Sequence, residues 1–115
     1  MGTAALRERT VSVHLAPHDD GMLVTIVGSI DVHTAADLRA DLHAIIDDGE
    51  GALLLDLARA EVRDSTGLGL LLECRRRGRR LGREMRLIAL SPHSERLLRR
   101  LALSRQYGAA RPAYR

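Results

Sequence analysis

The stretch that decides the fold reads Asp64-Ser65-Thr66-Gly67-Leu68-Gly69. It joins an apolar run, residues 52–57, to a helical pattern that continues to Leu81. Hydroxyl side chains at the mouth of a helix predict an N-cap, because a Ser or Thr oxygen accepts hydrogen bonds from the free backbone amides there. The same position has a positive potential that suits a phosphate. We therefore expect Thr66 to act mainly as a cap and Ser65 to be a phosphorylation site on an exposed corner.

The composition limits the classes of protein to which this chain can belong. A chain of 115 residues is long enough for one domain with a single core. It has two Tyr and no Phe or Trp, so it lacks the aromatic side chains on which single-stranded nucleic acid stacks. One cysteine, Cys74, permits no internal disulfide and fits a reducing compartment. No apolar run approaches the ~20 residues of a membrane span. We expect a cytoplasmic protein.

Hydrophobic periodicity predicts alternating strands and helices. Residues 10–16 alternate as a half-buried strand, followed by a turn over 17–21. Residues 22–27 are apolar on both faces and should lie further inside the sheet. The later elements are a helix that starts at Thr34 and stops at Gly49, a central strand over 52–57 covered on both faces, a helix over 66–81, a strand over 85–90 and a helix capped by Ser91.

This order predicts a single α/β domain. Its mixed, mostly parallel sheet has about four to five strands, with an N-terminal hairpin followed by the order β-α-β-α-β-α. The domain spans residues 10–107, and we expect residues 1–9 to be a flexible arm and residues 108–115 a flexible tail. Cys74 falls on the apolar face of its helix with Leu68, Leu71, Gly78 and Leu81, which predicts a buried core residue and not a redox sensor.

The loops that follow the parallel strands are expected to meet at one edge of the sheet. One such loop holds Asp31 and leads to Thr34, which with Asp37 three residues on resembles a capping box. The other holds Asp64 and Ser65. The topology therefore predicts that Asp31 and Ser65 lie at the same edge. A phosphate there would add a charge of about −1.5 to −2 between two carboxylates.

Taken together, these segments resemble the STAS domain, and within it the bacterial anti-sigma factor antagonists. The matching residues are Gly28-Ser29-Ile30-Asp31, a capped helix, Leu53-Leu54-Leu55-Asp56-Leu57 and the central stretch over 64–69, so that the resemblance covers residues 10–107. It implies a non-enzymatic switch without a cofactor. The unmodified protein binds an anti-sigma factor that is also a serine kinase and so frees a sigma factor. Phosphorylation of Ser65 ends the binding, and a serine phosphatase resets it.

The resemblance also implies which residues contact the partner. Apart from the phosphorylated Ser65, it points to acidic residues beside the serine and to the starts of the two helices: Asp31, Thr34, Asp64, Thr66, Gly67 and Leu68. The sequence departs from the family at Arg63, where an apolar residue is usual. Pairing of Arg63 with Asp64, pairing with a phosphate, and an outward position all stay open. The residues after Tyr107 show no helical periodicity, so we expect them to lack the further amphipathic helix that many relatives carry, and the Arg75–Arg86 cluster is unusually basic.

Several other functions fit the residues less well. An enzyme with Ser65 as nucleophile and His33 and Asp31 as helpers lacks the Gly-x-Ser-x-Gly elbow. His14 and His18 with one Cys make a poor metal site. A net charge of +3 favours direct nucleic-acid binding only weakly, because 15 acidic residues are interspersed. We expect no direct contact with nucleic acid or membrane. A STAS scaffold, or an accessory subunit of a stress-sensing or lipid-transport complex, is the main alternative, and weak homodimerisation stays open.

Overall fold

The computed structural model describes residues 10–19 and 21–104. The expected arm over 1–9 and the expected tail over 108–115 lie outside these residues. The elements in chain order are β1 (Val11–His18), β2 (Gly21–Ile30), α1 (Ala35–Asp47), β3 (Leu53–Leu57), β4 (Ala60–Val62), α2 (Ser65–Arg80), β5 (Met85–Leu90) and α3 (Pro92–Ser104).

The sheet is organised around β2, which pairs with three other strands. It is antiparallel to β1 and parallel to both β3 and β4, and β5 lies beyond β3 in parallel. The path along the sheet is β1-β2-β3-β5, with β4 pairing β2 off this path. The expected α/β domain is confirmed, with its N-terminal hairpin and a mixed, mostly parallel sheet of about four to five strands, of which the structure has five.

One local prediction about the sheet is wrong, and one short strand was not predicted. Pro17 and His18 were expected in the turn, but they pair with Met22 and Gly21 as the last residues of β1. An edge strand accommodates a proline whose missing N–H points away from the ladder. The short strand β4 was not predicted, because three residues are too few to show an alternating pattern. It extends the parallel pairing of β2 towards the carboxyl edge of the sheet.

The core lies between the sheet and the helices α1 and α2, which pack against each other. Burial alternates along β3, where Leu53, Leu55 and Leu57 are buried while Leu54 and Asp56 are partly exposed. The expected central position of this strand is confirmed, since it lies between β2 and β5, but its two faces are not covered equally. One face carries the closed core and the other is only partly covered.

Helix α2 begins one residue earlier than expected and presents a slightly rotated face to the core. Leu70 is buried, whereas Leu68 is partly exposed and Leu81 is 55% exposed. The end of the helix is as predicted. Gly82 has φ +76, and the amide of Arg83 donates to the carbonyl oxygen of Gly78 at 2.8 Å, which completes a Schellman-type stop.

Cys74 is buried in the core, as predicted. Desolvation, reinforced by the nearby Glu73 carboxylate, raises the pKa of its thiol to about 12. Its Sγ, one carboxylate oxygen of Glu73 and a ring nitrogen of His43 lie within 4.8 Å of one another, a grouping the sequence did not suggest. The grouping links α1 to α2, because His43 Nε2 lies 2.9 Å from Glu73 Oε2 and Arg39 Nε donates to Glu73 at 3.3 Å. A metal would have to displace these pairs and remove a proton that burial retains.

Arginine side chains close the carboxyl end of α1. Arg83 is only 4% exposed, and its guanidinium donates to the carbonyl oxygens of Ile45, Ile46, Glu50 and Gly51 at 2.9 to 3.0 Å. A buried guanidinium at this end is favourable because the last carbonyls of a helix have no partners within it and carry a partial negative charge.

A second arginine of the Arg75–Arg86 cluster pairs with a carboxylate that would by itself be unfavourable at the end of α1. Asp47 ends α1, where a carboxylate faces the negative end of the helix. Arg77 donates to both of its oxygens at 2.8 and 2.9 Å and thereby holds the pKa of Asp47 below its ordinary value. Part of the Arg75–Arg86 cluster thus stabilises the contact between α1 and α2.

Helix α3 is anchored to β4 by serine hydroxyls. Ser91 Oγ accepts from the backbone N–H of Ser94 at 3.2 Å, which confirms Ser91 as the cap. The buried Ser94 hydroxyl accepts from the N–H of Val62 at 2.8 Å. These contacts hold β4 in place, and β4 leads directly into the stretch over residues 64–69. Among the described residues, no helix has the length and apolar character needed to cross a membrane.

Candidate functional site

Helix α2 is capped by a carboxylate. Asp64 has an extended backbone, and its Oδ1 accepts from the N–H of Gly67 at 2.9 Å. The prediction that a hydroxyl of Ser65 or Thr66 forms this cap is wrong. An Asp satisfies the free amides as well as a Ser or Thr does, and it stands one residue earlier, where the helix begins.

The cap also sets the ionisation of Asp64. Hydrogen bonds from the backbone N–H groups of Gly67, Val32 and Thr66, with a small contribution from His33, outweigh desolvation and hold the pKa of Asp64 below its ordinary value of 3.8. The carboxylate is therefore a permanent negative charge at neutral pH, placed directly before the serine.

Because Asp64 supplies the cap, both hydroxyls that follow it are released from that role. Ser65 and Thr66 are the first two residues of α2, and both side chains are exposed. An exposed Ser65 at the mouth of a helix is accessible to another protein and lies in the positive end potential of the helix.

The expected meeting of the two loops at one edge is confirmed. The N–H of Val32 donates to Asp64 Oδ2 at 3.0 Å, and the N–H of Arg63 donates to the carbonyl oxygen of Ile30 at 3.0 Å. A Cβ built on Gly67 would collide with that same carbonyl oxygen of Ile30. The absence of a side chain at Gly67 therefore allows α2 to approach the end of β2 closely.

Asp31 and Thr34 build the other side of this edge. Asp31 Oδ1 accepts from the N–H of His33 at 2.8 Å and of Thr34 at 3.3 Å. Thr34 Oγ1 donates to the carbonyl oxygen of Ser29 at 2.8 Å and accepts from the N–H of Asp31 at 3.1 Å. The predicted capping box with Asp37 is therefore wrong, because the Thr34 hydroxyl turns back to the end of β2 instead of bonding to the first turn of α1.

The predicted site residues fall into two groups. Ser65 and Thr66 are exposed, and three more, Asp31, Asp64 and Leu68, are partly exposed. The others, Thr34 and Gly67, are buried, so neither is accessible to a partner. We assign them the task of positioning the exposed group.

One exposed residue at this edge was missed by the sequence reasoning. Val32 is 58% exposed, and its backbone is bonded to Asp64 beside the serine. An apolar residue next to a polar loop gave no periodic signal. The signal that could have found it is the strand-to-helix connection itself, where side chains at the binding edge gather.

The position of Arg63 is now defined. Its guanidinium donates to Ser29 Oγ at 3.2 Å and lies 3.6 Å from Glu61. Of the alternatives left open above, pairing with Asp64 is not what the structure shows. Arg63 lies at the rim of the edge, with its side chain 53% exposed.

Replacing Asp64 by alanine is expected to destabilise the domain by about 1–2 kcal/mol, because it removes the cap and the bond from Val32 together. The pKa of Asp64 is lowered in the folded state, so its stabilisation is complete above the unfolded value near 3.8 and is lost as the pH falls through the lower folded value. Urea unfolding from pH 7 to pH 2 measures both effects.

Two variants make this measurement specific. Asp64→Asn keeps an acceptor oxygen and removes the charge, so it should lose less stability at pH 7 and show a weaker dependence on acid. Asp37→Ala removes an exposed carboxylate from the first turn of α1 and should cost less than about 1 kcal/mol. An Asp64→Ala protein as stable as the wild type at pH 7 would show that the cap contributes nothing.

Comparisons with known proteins agree on one kind of relative. The family model for the STAS domain matches residues 12–110. A curated protein of Bordetella bronchiseptica, the putative anti-sigma factor antagonist BtrV, is 36% identical over 75 residues, which is 64% of this chain and 65% of that protein's length. This chain therefore matches just under two thirds of that relative.

Solved structures show the same fold. The crystal structure of an anti-sigma factor antagonist from Mycobacterium paratuberculosis superimposes with a TM-score of 0.70 at 26% identity, covering 84% of this chain and 82% of that one. Unphosphorylated SpoIIAA, also an anti-sigma factor antagonist, superimposes with a TM-score of 0.63 at 21% identity, covering 82% and 84% of the two chains. At that identity the likeness concerns the fold alone.

Proposed function

The chain belongs to the STAS domain family, and we propose that it is a cytoplasmic anti-sigma factor antagonist switched by phosphorylation of Ser65. The unphosphorylated form binds an anti-sigma factor that is also a serine kinase, and this binding frees a sigma factor. The kinase phosphorylates Ser65 and the complex dissociates, and a serine phosphatase restores the binding form. The observation that carries the proposal is the exposed Ser65 at the first turn of α2, with the capping role taken by Asp64.

The charges at this edge explain how one phosphate could end binding. A phosphate on Ser65 adds a charge of about −1.5 to −2. Asp64 next to it already occupies the amides of Gly67 and Val32, so these donors are not free to neutralise the new charge. A partner that docks against a neutral hydroxyl and the apolar Val32 would then have to desolvate a dianion.

The magnitude of this penalty suffices for a switch. Burying a charged group without a compensating partner costs several kcal/mol, and each 1.4 kcal/mol changes an affinity about tenfold. The fold itself need not change, because the added group lies outside the core and the helix end potential is favourable to it. A STAS scaffold or accessory subunit would not require the serine to be exposed.

The experiment is phosphorylation of the full chain by purified candidate anti-sigma kinases with ATP, followed by intact mass and peptide mapping. We expect one phosphate per chain, on Ser65. Thr66→Ala should still receive one phosphate on Ser65, which separates the two neighbouring exposed hydroxyls. Ser65→Ala should stay unmodified. Phosphate on Ser65→Ala at the wild-type level would refute the site.

A further inference from the structure

The exposed side of α2 forms one continuous stripe that begins at the serine. Residues spaced by four and three positions share a face of a helix. All five residues of this spacing in α2 are exposed, and together they form the α2 stripe: Ser65, Gly69, Leu72, Arg76 and Arg79. The stripe runs along nearly the whole helix, opposite the side that packs into the core.

The middle of the α2 stripe, formed by Gly69 and Leu72, is flat and apolar. A Cβ built on Gly69 would have no neighbour within 4 Å, so packing does not require glycine there. Glycine in a helix interior costs about 1 kcal/mol relative to alanine. Leu72, next along the stripe, is 38% exposed. A helix surface that lacks a side chain beside an exposed leucine allows another protein to approach the backbone closely.

The far end of the stripe carries two arginines for which the described part of the chain provides no ion-pair partner. Two other members of the basic cluster are engaged in ion pairs: Arg77 pairs with Asp47 at 2.8 Å, and Arg86 pairs with Glu84 at 3.2 Å. Within residues 10–19 and 21–104, Arg76 and Arg79 form no ion pair. Their charges are available to an acidic group outside the domain.

The dimensions allow one partner to reach both ends. At a rise of about 1.5 Å per residue, Ser65 and Arg79 each lie about 10 Å along the helix from Leu72. A typical protein interface covers about 800 Å² of each partner, which corresponds to a disc of about 16 Å radius. A partner centred on Leu72 therefore covers the serine and the arginines together.

We propose that the α2 stripe is the docking surface for the anti-sigma kinase and that Arg76 and Arg79 bind an acidic patch on that kinase. The inference rests on the proposed function and adds a second contact beyond the phosphorylation site. A protein fits better than a nucleic acid, because the middle of the stripe is an exposed leucine beside a glycine, and an apolar surface offers no hydrogen-bond donors to a phosphate backbone. Exposed charges of this kind mainly accelerate association.

The test is binding kinetics of Arg76→Ala/Arg79→Ala with the purified kinase that modifies Ser65. We expect the association rate to fall about tenfold at about 50 mM salt, and the difference from wild type to shrink at about 0.5 M salt, where screening is strong. The matched control is Arg96→Ala/Arg100→Ala, which removes two exposed arginines from α3 and should stay within about twofold of wild type.

A second variant tests the middle of the stripe. Gly69→Gln places a side chain in open space, so the free energy of unfolding should be unchanged or higher while kinase binding weakens about tenfold or more. A purely structural role for Gly69 would give the opposite pattern.

The outcomes separate the two proposals. If wild type binds the kinase and both stripe variants bind it equally well, the docking inference is wrong while the phosphorylation switch stands. If the arginine variant loses affinity only for a 20-base-pair DNA duplex, the surface binds nucleic acid and the inference is also wrong. If wild type binds none of the kinases and none modifies Ser65, the proposed function fails and the docking inference fails with it.

Discussion

Ser65→Glu is expected to weaken binding of the anti-sigma kinase by about 100-fold or more, which corresponds to about 3 kcal/mol. The substitution places a carboxylate beside Asp64 on the surface where the partner docks. Two adjacent charges must then lose water on binding without gaining a counter-charge. Isothermal titration calorimetry with the purified kinase measures the change. Ser65→Ala keeps a small neutral side chain and should bind within a few-fold of wild type.

The control for this variant is a carboxylate placed elsewhere. Ala16→Glu adds the same charge to an exposed position of β1, at the opposite edge of the sheet, and should leave kinase binding unchanged. The fold of each variant is checked by urea unfolding. Wild-type affinity in a folded Ser65→Glu protein would show that negative charge at Ser65 does not control binding.

Arg83→Met is expected to destabilise the domain by about 3–5 kcal/mol. Methionine retains an unbranched side chain but donates no hydrogen bonds, so four carbonyl oxygens at the end of α1 and in the following loop lose their donors at once. Leaving buried acceptors unsatisfied costs about 1–3 kcal/mol each, partly relieved by water. The midpoint of urea unfolding should fall accordingly.

Two further variants keep this prediction testable. Arg83→Lys retains a charge but not the planar fork that reaches several carbonyls, so it should lose an intermediate amount of stability. Arg86→Met removes a nearby arginine whose pairing with Glu84 is exposed, and it should change stability by less than about 1 kcal/mol. Equal stability of Arg83→Met and Arg86→Met would contradict the structural role assigned to Arg83.

The sequence predicted the architecture because the hydrophobic pattern is local. The alternation in β1, the apolar run of β3 and the glycine stop at Gly82 can each be read within a few residues. The meeting of the loops around Asp31 and Ser65 followed from topology, because parallel strands bring their carboxyl ends to one edge.

The predictions that were wrong concern polar side chains that have two possible partners, or whose partner lies elsewhere in the chain. Asp64 and Ser65 are both good caps, and only the structure shows that Asp64 is used. Thr34 was assigned to a capping box but bonds to the end of β2, which lies before it in the chain. Local pattern does not determine which of two satisfactory partners a polar group takes.

Arg83 shows that local sequence pattern does not determine the partners of charged residues either. In the sequence it is one arginine in a basic run and resembles a solvated surface residue. Its burial results from carbonyl oxygens more than 30 positions earlier in the chain. Nothing local separates it from Arg79, which is exposed.

The central claim is tested most directly by titrating the purified anti-sigma kinase with the wild-type chain before and after complete phosphorylation by that kinase. We expect tight binding by the unmodified chain, loss of at least about 100-fold in affinity when the phosphate is on Ser65, and recovery after phosphatase treatment. Equal affinity of the two forms, with the phosphate mapped to Ser65, would contradict it.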